Sequence, residues 1–220
     1  VTRASDWVPP ELHRYLVDVG MRADPVLEAL ASETAAMGDV ARLQIAPEQG
    51  AFLTMLTRLL GATHAVEVGT FTGYSSTCIA RGLAPGGRLL CCDVSEEWTA
   101  TARRAWEAAG VHDRIDLVLA PAQQTLDALP SDPVLDLAFL DADKEGYIGY
   151  WEAVVPRLRP GGLVIVDNVL SHGRVLDPDA SGNASAVRAF NDHAHADERV
   201  DLVMLPVADG LTLGLRRHDG

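Results

Sequence analysis

The chain has 220 residues, 48% hydrophobic and 22% charged, and its 18 Lys and Arg against 31 Asp and Glu give a formal net charge of −13. That balance argues against nucleic acid or an anionic membrane as partner, since both need a basic footprint. It weighs less against a polyphosphate ligand such as a coenzyme A ester, which a local basic patch could hold. No stretch reaches the ~20 apolar residues of a membrane span and no signal peptide opens the sequence, so one soluble, cytoplasmic domain over 1–220 is expected.

The first sixty residues read as a helical cap, with helices predicted over 11–19, 24–37 and 47–60. Asp24-Pro25 is a good helix start, an N-cap followed by proline at the first helical position; Ala46-Pro47 is similar but lacks a polar cap. From His64 the pattern alternates. Short β-rich runs at 65–68, 88–93, 115–119, 135–140 and 163–167 are separated by helical stretches at 74–83, 96–109, 122–129 and 145–158. Gly110, Pro130 and Pro160-Gly161-Gly162 mark helix ends. Such alternation is the signature of a parallel sheet covered on both faces, and the runs 135–140, apolar but for Asp136, and 163–166 suit its centre.

After a helix near 184–195 come strands 200–205 and 211–215, joined by Pro206-Val207-Ala208-Asp209-Gly210 and read as an antiparallel hairpin. The expected fold is therefore α/β: a doubly wound, seven-stranded, mostly parallel sheet over 61–220 with a C-terminal antiparallel hairpin. A dinucleotide-binding sheet would end in another parallel strand. Of the three cysteines, Cys91 and Cys92 are neighbours on one strand and so point to opposite faces. All three, Cys78 included, read as buried thiols in a reducing compartment.

Three stretches carry chemistry. Val66-Glu67-Val68-Gly69-Thr70-Phe71-Thr72-Gly73-Tyr74-Ser75 is a strand running through a glycine turn into a helix. Its Gly69-x-x-x-Gly73 spacing is not G-x-G-x-x-G, which weakens a nicotinamide-dependent oxidoreductase reading. Glu67 is an acid inside an apolar strand, costly to bury unpaired, and so a candidate for a cationic or hydrogen-bonding ligand. Asp93 ends the second strand, where a carboxylate can accept ribose hydroxyls. Asp141-Ala142-Asp143-Lys144 and Asp167-Asn168 follow adjacent strands. Asp141, Asp167 and Asn168 offer hard oxygen donors that select Mg²⁺, Ca²⁺ or Mn²⁺, with Lys144 within reach as a base. The plainer alternative for each acid is a strand-end turn, with Lys144 solvated.

These stretches, with Pro47-Glu48-Gln49-Gly50-Ala51-Phe52-Leu53 and Met204–Gly210, resemble the cation-dependent O-methyltransferases, the group of catechol and caffeoyl-CoA O-methyltransferase, from about Leu43 to Arg216. The resemblance implies a class I, Rossmann-like S-adenosylmethionine fold and methyl transfer to one hydroxyl of a vicinal diol on a small aromatic molecule. It implies Asp141, Asp167 and Asn168 as ligands of a divalent cation and Lys144 as general base. Glu67, Gly69, Thr70 and Ser75 match the methionine end of the cofactor site, Asp93 the ribose ligand, Ala122 and Asp143 further cofactor contacts, and Ile45 a position lining the same cavity. His172 falls where some relatives have a substrate-contacting asparagine; a plain loop histidine is the favoured account. A homodimer is also implied. The first forty residues match least. Trp7, Tyr15 and Trp151 are candidate aromatic walls for a flat acceptor, with ordinary packing the favoured alternative. A non-catalytic cofactor-binding interaction protein is the remaining rival.

Overall fold

The computed structural model describes residues 7–132 and 134–218. Three helices open it: α1 (Pro10–Gly20), α2 (Pro25–Ala35) and α3 (Pro47–Leu59), with a 3₁₀ segment Gly38–Leu43 between the last two. Asp24 caps α2 as expected, its Oδ1 accepting from the Val26 and Leu27 amides at 3.1 Å each. The helix stops at Ala35, short of the expected Met37, and the chain tightens into the 3₁₀ segment instead. His13 Nε2 meets Glu48 Oε1 at 2.9 Å and ties α1 to α3.

The sheet follows: β1 (His64–Val68), α4 (Tyr74–Gly82), β2 (Arg88–Asp93), α5 (Glu96–Ala108), β3 (Ile115–Leu119), α6 (Ala122–Asp127), β4 (Leu135–Leu140), α7 (Tyr147–Val154), β5 (Leu158–Asp167), α8 (Asn183–His195), β6 (Val200–Leu205) and β7 (Leu211–Arg216). Strand order is β3-β2-β1-β4-β5-β7-β6. β1 to β5 pair in parallel, and β7 runs antiparallel between β5 and β6. The expected hairpin is present.

The expected strand at 163–167 is a correction: β5 starts at Leu158, so the helix predicted to run to 158 yields to α7, a 3₁₀ turn Val155–Arg157 and a ten-residue strand. Pro160-Gly161-Gly162 is absorbed into that strand at an irregularity in the β4–β5 register between Leu135 and Leu137. A Cβ on Gly162 would sit 2.9 Å from the Arg159 carbonyl oxygen and 3.0 Å from that of Leu135; only glycine lets the strands approach there.

Side chains alternate across the sheet. On one face Ala65, Leu89, Cys91, Leu137, Phe139 and Ile165 pack with Leu53, Ile79 and Trp106. On the other, Val66, Val68, Cys92, Leu140 and Val164 pack with Tyr147, Trp151 and Phe190. Cys91 and Cys92 thus lie on opposite faces, and all three cysteines are free and buried. Trp151 is fully buried, with Nε1 donating to Asp197 Oδ2 at 2.7 Å. It is a core residue, which corrects its candidacy as an acceptor wall. Tyr15 is exposed on α1. Among the described residues no helix is long and apolar enough to cross a membrane.

Candidate functional site

Strand order reverses between β1 and β4, the crevice where open α/β sheets bind ligands beyond their carboxyl ends. A cavity of about 920 Å³ opens there, near the top of the range for small-molecule sites, ~300–1,000 Å³. Ile45, Gly69, Thr70, Ser75, Asp93, Ala122, Asp141, Asp143, Lys144, Asn168 and His172 all line it. Glu67 and Asp167 do not; both are fully buried beneath its wall.

The glycine turn is fixed by backbone needs. Gly69 has φ +90° and lies against β4, where a Cβ would stand 2.0 Å from the Asp141 carbonyl oxygen. Gly73, at φ +88°, brings the turn within contact of Ala102 on α5. Asp93 holds the turn from below: Oδ2 accepts from the Thr70 and Phe71 amides at 2.9 and 2.8 Å, and Oδ1 from Val94 and Ser95 at 2.7 and 2.8 Å. The carboxylate expected to meet a ribose is therefore also the clamp joining β2 to the loop, a second use that spacing alone does not reveal.

Glu67 faces the α3–α5 side of β1. Its Oε2 accepts from Cys91 Sγ at 3.5 Å, and Oε1 has no hydrogen-bond partner. Burial pushes its carboxyl up to about 8, against the opposing pull of Ser75, Cys91 and Thr70. The neutral form is thus favoured in the fold, so its contribution to stability is full below the unfolded value of 4.5 and is lost as pH rises through the folded value. Urea midpoints of the ligand-free protein should fall between those limits, and Glu67→Gln should flatten that slope; an identical slope in the variant would show that Glu67 does not cause it.

At the far side of the cavity, the Lys144 ammonium donates to Asp141 Oδ1 at 3.1 Å, Asn168 Oδ1 at 2.7 Å and Tyr147 Oη at 2.5 Å. Tyr147 Oη in turn donates to the Asp167 carbonyl at 2.8 Å. Asp167 Oδ1 accepts from the Asn168 amide at 2.7 Å. Asp143 turns aside, accepting from Tyr150 Oη at 2.6 Å and the Gly146 amide at 3.0 Å. The two tyrosines escape a reading built on acids and glycines; the signal was the recurrence of polar-capable residues at 144, 147 and 150, one face of a helix.

The loop after Asn168 is strained. Asn168, Ser171 and His172 adopt φ of +61°, +47° and +53°, uncommon for residues with a Cβ. The β6–β7 connection braces it. Asp209, buried at 3% exposure, accepts the His172 amide on Oδ1 at 2.7 Å, and its carbonyl accepts from Leu170 at 3.0 Å. The His172 ring lies 3.7 Å from Asp209 Oδ2 and is largely exposed. Trp7 reaches the same loop: a Cβ on Gly173 would lie 3.3 Å from its ring.

Among the described residues no three His, Cys, Asp or Glu side chains form a metal cluster. The proposed donor set has only two carboxylates, its third donor being an amide, and its fit must be judged on chemistry. Asp141 and Asn168 already turn hard oxygens toward one cation, the Lys144 ammonium. These residues fit a hard divalent ion.

A parallel sheet with its last strand reversed, carrying a cavity at the switch point, defines a class I methyltransferase of Rossmann-like fold. The chain belongs to the O-methyltransferase family, whose model matches residues 18–217. It is 43% identical over 171 residues to "Probable caffeoyl-CoA O-methyltransferase 1" of Dictyostelium discoideum, covering 76% of this chain and 74% of that one. It is 33% identical to catechol O-methyltransferase of Mycobacterium tuberculosis, covering 95% and 96%. The O-methyltransferase from Bacillus cereus in complex with S-adenosylhomocysteine superposes with a TM-score of 0.86 at 30% identity, covering 94% of this chain and 97% of that one. Family membership sets the nicotinamide-dependent alternative aside.

Proposed function

We propose that the protein transfers the methyl group of S-adenosylmethionine to one hydroxyl of a vicinal diol on an aromatic ring, using Mg²⁺, or Mn²⁺ or Ca²⁺, held by Asp141, Asp167 and Asn168. The observation that carries this is the convergence of Asp141 Oδ1 and Asn168 Oδ1 on one cationic centre, in the same cavity as the glycine turn. A divalent ion there would favour the anionic form of a bound phenol, which otherwise titrates near pH 10. The sulfonium donor supplies a methyl group already activated for attack.

The chain's own residues position and deprotonate. Thr70, Ser75 and the Gly69 turn receive the methionine end of the donor, Asp93 its ribose, and Ala122 with Trp98 the far end of the cavity. Lys144, its ammonium proton first given up to solvent, takes the hydroxyl proton onto the neutral Nζ and holds it there until product leaves. Tyr147 fixes where Nζ sits and pins the peptide between Asp167 and Asn168. A homodimer and a cytoplasmic setting complete the reading.

The direct test is a panel of catechol and caffeate-type diols with labelled donor, products identified by mass spectrometry. No methylated product from any diol would end the proposal. Tyr147→Phe keeps the buried ring and removes the hydroxyl. Turnover should fall by about ten-fold through misplacement of Nζ, with donor affinity within two-fold (roughly the spread of a single contact). An equal loss of donor affinity would mean a merely structural role.

A further inference from the structure

Four acids line the cavity, and each is answered from within the protein. Asp93 accepts four backbone amides, Asp141 the Lys144 ammonium, Asp143 Tyr150 and Gly146, and Asp209 the His172 amide. Two arginines that also line the cavity are not answered. Arg42, from the 3₁₀ segment before Ile45, and Arg174, from the strained loop after Asn168, are exposed and make no side-chain hydrogen bond or ion pair among the described residues. They come from separate segments of the chain and meet the cavity on the Asn168 side and the Ile45 side. In a protein of net charge −13, most of the surface repels anions, so two guanidinium groups lining one cavity make it a place where an anion can settle.

We infer that Arg42 and Arg174 form an anion subsite at the cavity mouth, and that the acceptor is a vicinal diol whose side chain ends in a carboxylate. The inference rests on the methyl-transfer reading above. Guanidinium forks match a carboxylate's two oxygens. A coenzyme A thioester would present the same kind of oxyanion on its phosphates. Its several charges would meet a strongly acidic surface with only these two arginines to offset them, and the carboxylate is the better match.

The test compares three acceptors with the intact enzyme: 3-(3,4-dihydroxyphenyl)propionate, its primary amide and its coenzyme A thioester. The acid should exceed the amide in kcat/KM by about ten-fold or more, mainly through KM, the size of one charge-assisted contact. That ratio should shrink toward one in an Arg42→Gln/Arg174→Gln double variant and with rising salt. Equal kcat/KM for acid and amide, survival of the ratio in the double variant, or preference for the thioester would each overturn the carboxylate subsite while leaving the methyl-transfer reading intact. If none of the three is methylated, the diol panel above decides that reading, and calorimetric titration with the acid judges the subsite separately. Binding by the wild type that is lost in the double variant upholds it; no binding, or equal binding, overturns it.

Discussion

Lys144→Met should lower kcat by about 10²–10⁴-fold, the usual worth of a positioned general base, with donor affinity little changed. Methionine preserves much of the stem's bulk, so the loss isolates the amine. Nζ is held by three oxygens, from Asp141, Asn168 and Tyr147. The geometry thus fixes the amine at the cavity wall beside Asp141 and Asn168. The same substitution removes a cation from Asp141 and Asn168, so affinity for Mg²⁺, measured by calorimetry, should be retained or increased. A wild-type kcat in this variant would remove Lys144 as base; a collapse of Mg²⁺ affinity would mean that its role is to build the oxygen cluster.

Stripping divalent ions should be the other large effect. A phenol with a pKa near 10 is ionised at a level of about 10⁻³ at neutral pH, so losing an ion that favours the phenolate should cost about 10²–10³-fold in rate. Exhaustive chelation followed by dialysis should abolish turnover, and Mg²⁺ should restore it. Asp141→Ala should do the same without rescue, because it removes a donor and leaves Lys144 Nζ one partner fewer. A chelated enzyme as fast as the untreated one would refute the metal role outright. Calorimetry of the ligand-free protein with Mg²⁺ gives a readout independent of catalysis.

Much of the fold was legible because its signals are local. Asp24-Pro25 starts a helix through a cap and a fixed φ, and Leu135–Leu140, apolar but for Asp136 and short, suits a strand buried on both faces. Leu158–Gly162 was not legible. Pro160-Gly161-Gly162 breaks local propensity, and only pairing with β4 makes that stretch a strand. At the site, Gly69, Asp93, Asp141 and Asn168 followed from strand ends, and Ile45, Ser75, Ala122 and His172 from the family resemblance. The partners did not. Asp93 folding back on the Thr70 and Phe71 amides, Tyr147 bridging Lys144 to the Asp167 carbonyl, and Asp209 supporting the His172 amide join segments distant in sequence and are set by tertiary packing. Trp151 illustrates the converse: an aromatic near a motif, yet its indole closes the core against Phe190.

The Asp209 brace has a bearing on biosynthesis. The segment that supports residues 168–172 is among the last of this fold to leave the ribosome. The acceptor half cannot take its working shape until β7 slides in beside β5. The loop that carries Asn168 and His172 is therefore among the last parts of the fold to be fixed in place.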